Sequence, residues 1–191
     1  MSLRVRAPRC RGVIDADEGH LLARARQGDL PAFELLVGPL IEPACHLAYT
    51  ILRDWHEAED AAQDAALNAW RSVGRLREDT PSIRPWFFTI VANQARSRQR
   101  SRWWRVVRLA EPDAGRSEPP VEDRVLLSED LERAMRRLND TERLILHLHF
   151  HLDLPLDEVA KVTGLSQVVV KARMYRATRR LRPAMHYTET R

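Results

Sequence analysis

The stretch "EPDAGRSEPPV", residues 111–121, holds three prolines and one glycine and shows no apolar periodicity. Proline removes a backbone donor and restrains the residue before it, so neither a helix nor a strand runs through such a segment. On both sides of it, apolar residues recur at three- and four-residue spacing, the period of a helix with one buried face. The break therefore divides the chain into two helical units on a tether. Glycine is scarce, 7 in 191 residues, and the valines, isoleucines and tyrosines are too dispersed for strand patterns. We expect an all-α fold: two small helical domains joined by a flexible linker, the second containing a helix-turn-helix. The expected bounds are a flexible basic tail at 1–14, a first domain at 15–108, a linker at 109–123, a second domain at 124–183 and a tail at 184–191.

In the first half, helical spacing from Asp15 to Gln27 places Leu21, Leu22 and Ala25 on one face, and Gly28 ends the helix. Asp29 caps the next helix, with Pro31 in its first turn and a break expected at Pro39 or Pro43. Asp54 and Glu57 form a capping-box pattern that opens a helix to about Val73. Its apolar side is mostly alanine. Its other side carries Glu57, Asp60 and Asp64 at i, i+3 and i+7, an acidic stripe. After a loop at 74–85 comes "WFFTIVANQARSRQRSRWWRVVR", which begins apolar and turns cationic. One long helix that leaves the core and projects its charge fits that order.

In the second half, Asn139 and Glu142 make another capping box. Then "LDEVAKVTGLSQVVVKARMYRATRRLR" has the pattern of a helix-turn-helix. Ala160 is small enough for two helices to cross closely, Gly164 makes the turn, Ser166 caps the second helix, and Val170 packs inward. The second helix then presents Lys171, Arg173 and Arg176. A recognition helix meets base edges with its first turns and phosphates further along, and neutralising phosphates gives salt-sensitive affinity. Val168 and Val169 fall at the DNA-facing end, where they suit apolar contacts such as thymine methyl groups.

The formal net charge is +4, with 31 Lys and Arg against 27 Asp and Glu, so distribution matters more than total. The two cysteines, Cys10 and Cys45, have no metal-type spacing and suit a reduced, cytoplasmic setting. The basic N-terminus lacks the apolar run of a secretory signal, although it could serve as an arm on a polyanion. No membrane span is expected. His147 and His151 could share a zinc at i, i+4, but no third ligand and base accompany them, so no metal and no cofactor are expected.

These motifs in this order resemble an extracytoplasmic-function sigma factor of bacterial RNA polymerase, a sigma-70 family member with regions 2 and 4. "AEDAAQDAALNAW" (58–70) is similar to the helix that family docks on the polymerase clamp. "IRPWFFTIVANQARSRQR" (83–100) is similar to its promoter-melting, −10-reading segment. "LNDTERLILHLHF" and the helix-turn-helix are similar to its −35-reading domain. The resemblance implies a non-enzymatic, cytoplasmic initiation factor whose partners are core RNA polymerase, duplex −35 DNA, melted −10 DNA and an anti-sigma factor. It implies polymerase contacts at Asp60 and Gln63, with Glu57 and Asp64 nearby. It implies single-strand contacts at Asn93, Arg96 and Arg100. Trp86 either anchors its helix in the core or meets a base, and Ser166, Val168, Val169, Lys171, Arg173 and Arg176 would face the −35 element.

Some positions depart from the family. Val168 and Val169 stand where a glycine and a threonine are usual, Thr178 where an arginine is common, and Ser97 where an aspartate is common. An atypical or weaker −35 preference follows. No autoinhibitory N-terminal region, middle domain or C-terminal extension is expected. The rival readings are a stand-alone helix-turn-helix regulator, which leaves the acidic stripe and the aromatic–arginine helix unexplained, a helical adaptor, and a metal hydrolase.

Overall fold

Asp29 and Asp54 show how this sequence sets its own helix boundaries. Each lies in extended backbone and turns a carboxylate back on the helix that follows: Asp29 accepts from the Ala32 amide, Asp54 from the Glu57 amide. The computed structural model describes residues 17–77, 79–109, 117–118 and 129–186, with side chains at 17–77, 79–102, 117–118 and 133–182. Helices α1 (Glu18–Arg26), α2 (Leu30–Val37), α3 (Ile41–Leu52), α4 (Trp55–Ser72) and α5 (Ile83–Leu109) form the first half. Helices α6 (Glu129–Arg136), α7 (Asp140–Leu146), α8 (Leu156–Thr163) and α9 (Gln167–His186) form the second. No strand occurs among the described residues.

The alanine side of α4 is sealed: Ala58, Ala61, Ala62, Ala65 and Ala69 have no solvent exposure. Small side chains let α3 and α5 lie close against it, and Leu47, Phe87, Phe88 and Val91 fill the space at zero exposure. Helix α5 starts at Ile83, inside the expected loop. Its first free amide is capped from another helix, by Glu18 Oε1 at 2.8 Å, which local sequence does not reveal. Pro85 falls in that first turn, where a missing amide costs nothing.

Leu30–Leu52, 23 residues, is more apolar than the sequence reading allowed, with an 18-residue window of mean hydropathy 1.4. The fold explains the composition. The segment bends through a 3₁₀ turn at Gly38–Leu40, and Phe33, Leu36, Val37, Leu47 and Ala48 are buried in the helical core.

The Asn139–Glu142 box is complete. Asn139 Oδ1 accepts from the Glu142 amide at 2.8 Å, and Glu142 Oε2 accepts from the Asn139 amide at 3.1 Å. Glu142 is only 3% exposed and also receives Arg180 from α9 at 2.8 Å. That ion pair, with Leu138, Leu146, Ala177 and Leu181, fastens the end of α9 to α7. A widened π-type turn, His147–His151, continues α7. Gly164 takes φ +72° between α8 and α9, and Ser166 Oγ accepts from the Val169 amide.

The halves touch. Helix α8 lies against α5 and α7 against α3, and one buried apolar cluster runs from the first half through Leu144, Leu148, Leu154, Val159 and Val162. Of the expected linker beyond α5, Ser117 and Glu118 are described. Ser117 donates its hydroxyl to Asp54 Oδ1 at 2.8 Å and accepts from the His56 amide at 3.0 Å, so the tether is pinned at the start of α4.

Candidate nucleic-acid interface

Helix α4 turns its acidic side to solvent. The Asp60 side chain is 64% exposed, Asp64 45% and Glu57 31%, and Gln63 is exposed beside them. The stripe is not bare, however. Arg98 of α5 lays its guanidinium across all three carboxylates, 2.5 Å from Asp64, 3.3 Å from Glu57 and 3.4 Å from Asp60. Partial burial disfavours its charge, but the hydrogen bonds to Asp64 and Glu57 win and raise its pKa. Glu57 therefore turns to Arg98, and the first capping box is only half made.

The cationic part of α5 has two sides. Arg98 and Arg102 face α4, with Arg102 3.9 Å from Asp54. Asn93, Arg96 and Arg100, at i, i+3 and i+7, share another face. Asn93 and Arg100 are exposed, but Arg96 is half-buried. Its guanidinium donates to the carbonyls of Val162 (3.4 Å) and Thr163 (3.5 Å), the unpaired end of α8. Burial, and then the Arg100 charge, lowers its pKa. Trp86 is half-buried and packs on the core.

Helix α9 presents a clear outer face. Val168 is 77% exposed and Val169, partly covered, 37%, while Val170 is fully buried. Ser166, Lys171 and Arg176 are exposed. Arg173 is half-buried, with its Nε sealed and unpartnered. Tyr175, 68% exposed, was missed from sequence; its spacing from Lys171 (i+4) and Val168 (i+7) is the available signal.

The histidines lie where the halves meet. His147 stacks on His151 at 4.7 Å between ring centroids, and His151 meets His46 of α3 edge-on at 6.0 Å. Burial above all, then the charges of His151 and His46, pushes His147 down to about 3. Burial and His46 also lower His151, while Asp153 and Glu42 oppose them. No group of three metal-ligating side chains assembles among the described residues.

An exposed acidic stripe, a cationic helix and an exposed helix-turn-helix, in a chain whose described residues form helices and no strand, define the class of all-helical DNA-binding proteins. Residues 36–105 match Sigma-70 region 2, and residues 134–183 match Sigma-70, region 4. The chain is 30% identical over 183 residues to the ECF RNA polymerase sigma factor SigM of Mycobacterium tuberculosis, covering 94% of this chain and 90% of that one. It is 32% identical over 174 residues to the probable RNA polymerase sigma factor RfaY of Xanthomonas campestris pv. campestris, covering 86% of this chain and 43% of that protein. The sigma factor RpoE from Bartonella quintana, solved with the anti-sigma factor NepR, shares the fold, with a TM-score of 0.68 over 81% of this chain and 96% of that one at 21% identity. The chain belongs to the sigma-70 family of RNA polymerase sigma factors, in its extracytoplasmic-function (ECF) group.

Proposed function

We propose that this sigma factor docks on core RNA polymerase through Glu57, Asp60, Gln63 and Asp64, reads duplex −35 DNA with α9, and holds the melted −10 strand along Asn93, Arg96 and Arg100. The polymerase performs the chemistry; the sigma factor, working in the cytoplasm, positions it. Flipping a base out of a duplex costs a few kcal/mol. Cations on the backbone and stacking of about 1–3 kcal/mol per base recover that cost. The observation that carries the reading is the outer face of α9: apolar Val168 and Val169, then Lys171 and Arg176, all open to a groove. The domain bounds of the sequence reading, 15–108 and 124–183, are part of the proposal, as is an anti-sigma factor covering these same faces.

In vitro transcription with core polymerase on a genomic fragment library tests it. Start sites are expected to share two upstream sequence blocks. A free chain that protects duplex promoter DNA as well as the holoenzyme does would overturn the reading in favour of a stand-alone regulator.

A further inference from the structure

Beside the shared apolar cluster, three contacts join the halves at places the proposed function needs apart. Arg96, assigned to the melted strand, sits on the last carbonyls of α8. Arg84 of α5 donates to the Leu152 carbonyl at 2.8 Å, beside His151. His46 of α3 closes on His151, which stacks on His147. The first contact has a clear physical origin, because the end of a helix carries unpaired carbonyls and partial negative charge. Arg96 treats α8 as a weak stand-in for a phosphate. While it does, α8 covers that part of α5.

We propose that this chain closes itself into a form unable to hold melted DNA, latched by Arg96 and Arg84 on the second half and by the His46–His151–His147 stack, and that mild acid releases the latch. The inference rests on the assignment of Arg96 to the DNA strand for its functional meaning, but not for the opening itself. His147 has its Nε2 sealed from solvent without a hydrogen-bond partner, so a proton arriving there would be buried unsolvated. Around the stack the charged and titratable groups are His46 and Glu42 from α3, Asp153 after the π-type turn, and Arg84 from α5. Glu42 and Asp153 favour a proton on His151, yet burial and His46 outweigh them.

The sign follows directly. Both histidines have depressed values in the closed form and return towards about 6.5 once solvated. The closed form is thus fully favoured above about pH 6.5 and loses ground as pH falls towards the depressed values. By pH 5.5 the open-to-closed ratio rises about tenfold through His147 alone, and up to about tenfold more through His151.

Small-angle scattering of the full chain, alone, from pH 8 to 5.5, with circular dichroism on the same samples, tests the latch. The expected result is a larger radius of gyration below about pH 6.5 at constant helicity. His147→Phe/His151→Phe should abolish the pH dependence. Arg84→Ala, which leaves every histidine in place, should shift the opening to higher pH. An unchanged radius with helicity retained, expansion only together with loss of helix, or the same transition in the double histidine variant would each overturn the proposal. Neither polymerase nor DNA enters this measurement. A chain that opens but never supports transcription would refute the proposed function and leave the latch standing.

Discussion

Arg98 is the residue that changes the reading most. In sequence it is one of several arginines in a cationic run, and nothing local separates it from Arg96 or Arg100. In the fold it contacts acids 34, 38 and 41 residues away and neutralises part of the stripe proposed to dock on polymerase. A cationic partner on α4 must compete with it. Arg98→Ala is therefore expected to tighten binding to core polymerase severalfold at low salt, an advantage that fades as the Debye length shrinks. Asp60→Ala should weaken docking while changing stability by less than about 0.5 kcal/mol, because its side chain is 64% exposed. Fluorescence anisotropy at two salt concentrations and a thermal melt check both. Arg180, one of several arginines on α9, likewise pairs with a distant acid, the buried Glu142 38 residues away, and Arg180→Ala should cost about 1–3 kcal/mol of stability in chemical denaturation. Long-range ion pairs leave no periodicity behind, which is why neither role was legible.

Helices were legible for the opposite reason: their signals are local. Asp29, Asp54, Asn139 and Gly164 act within four residues of where they sit. The start of α5 was misplaced because Glu18, 65 residues away, caps it. At Gly164 the constraint is purely conformational. A Cβ there would meet nothing within 4 Å, but φ is +72°. Gly164→Ala should cost about 1–2 kcal/mol through the left-handed backbone alone, read as a lower melting temperature without loss of helix. On α9 the neighbouring valines separate cleanly. Val170→Ser should destabilise, since it is buried. Val168→Ser and Val169→Ser should leave stability nearly unchanged and alter base preference at one or two −35 positions, as scored by holoenzyme binding to a randomised −35 library. Unaltered preference would mean the thymine-methyl contact is absent.

At the scale of the molecule, the proline-rich break gave the two-part organisation but could not say how the parts rest against each other. Two grips on one DNA act as linked binding events, so each raises the effective concentration of the other. That makes a quantitative demand. Each phosphate contact contributes about 0.9 to the slope of log affinity against log salt on duplex and about 0.7 on single strands. Lys171→Ala on α9 should lower the holoenzyme's slope on open promoter DNA by about 0.9, and Arg96→Ala on α5 by about 0.7. Their effects on affinity should add within about 0.5 kcal/mol, as for sites that share no partner. If only α9 held DNA, Arg96→Ala would leave the slope untouched. If only α5 did, Lys171→Ala would. The measurement must be made on the holoenzyme, because in the free chain Arg96 is bound to α8 and its loss also loosens the closed form. A salt titration of filter binding for the two single variants and the double variant therefore decides whether both halves engage at once.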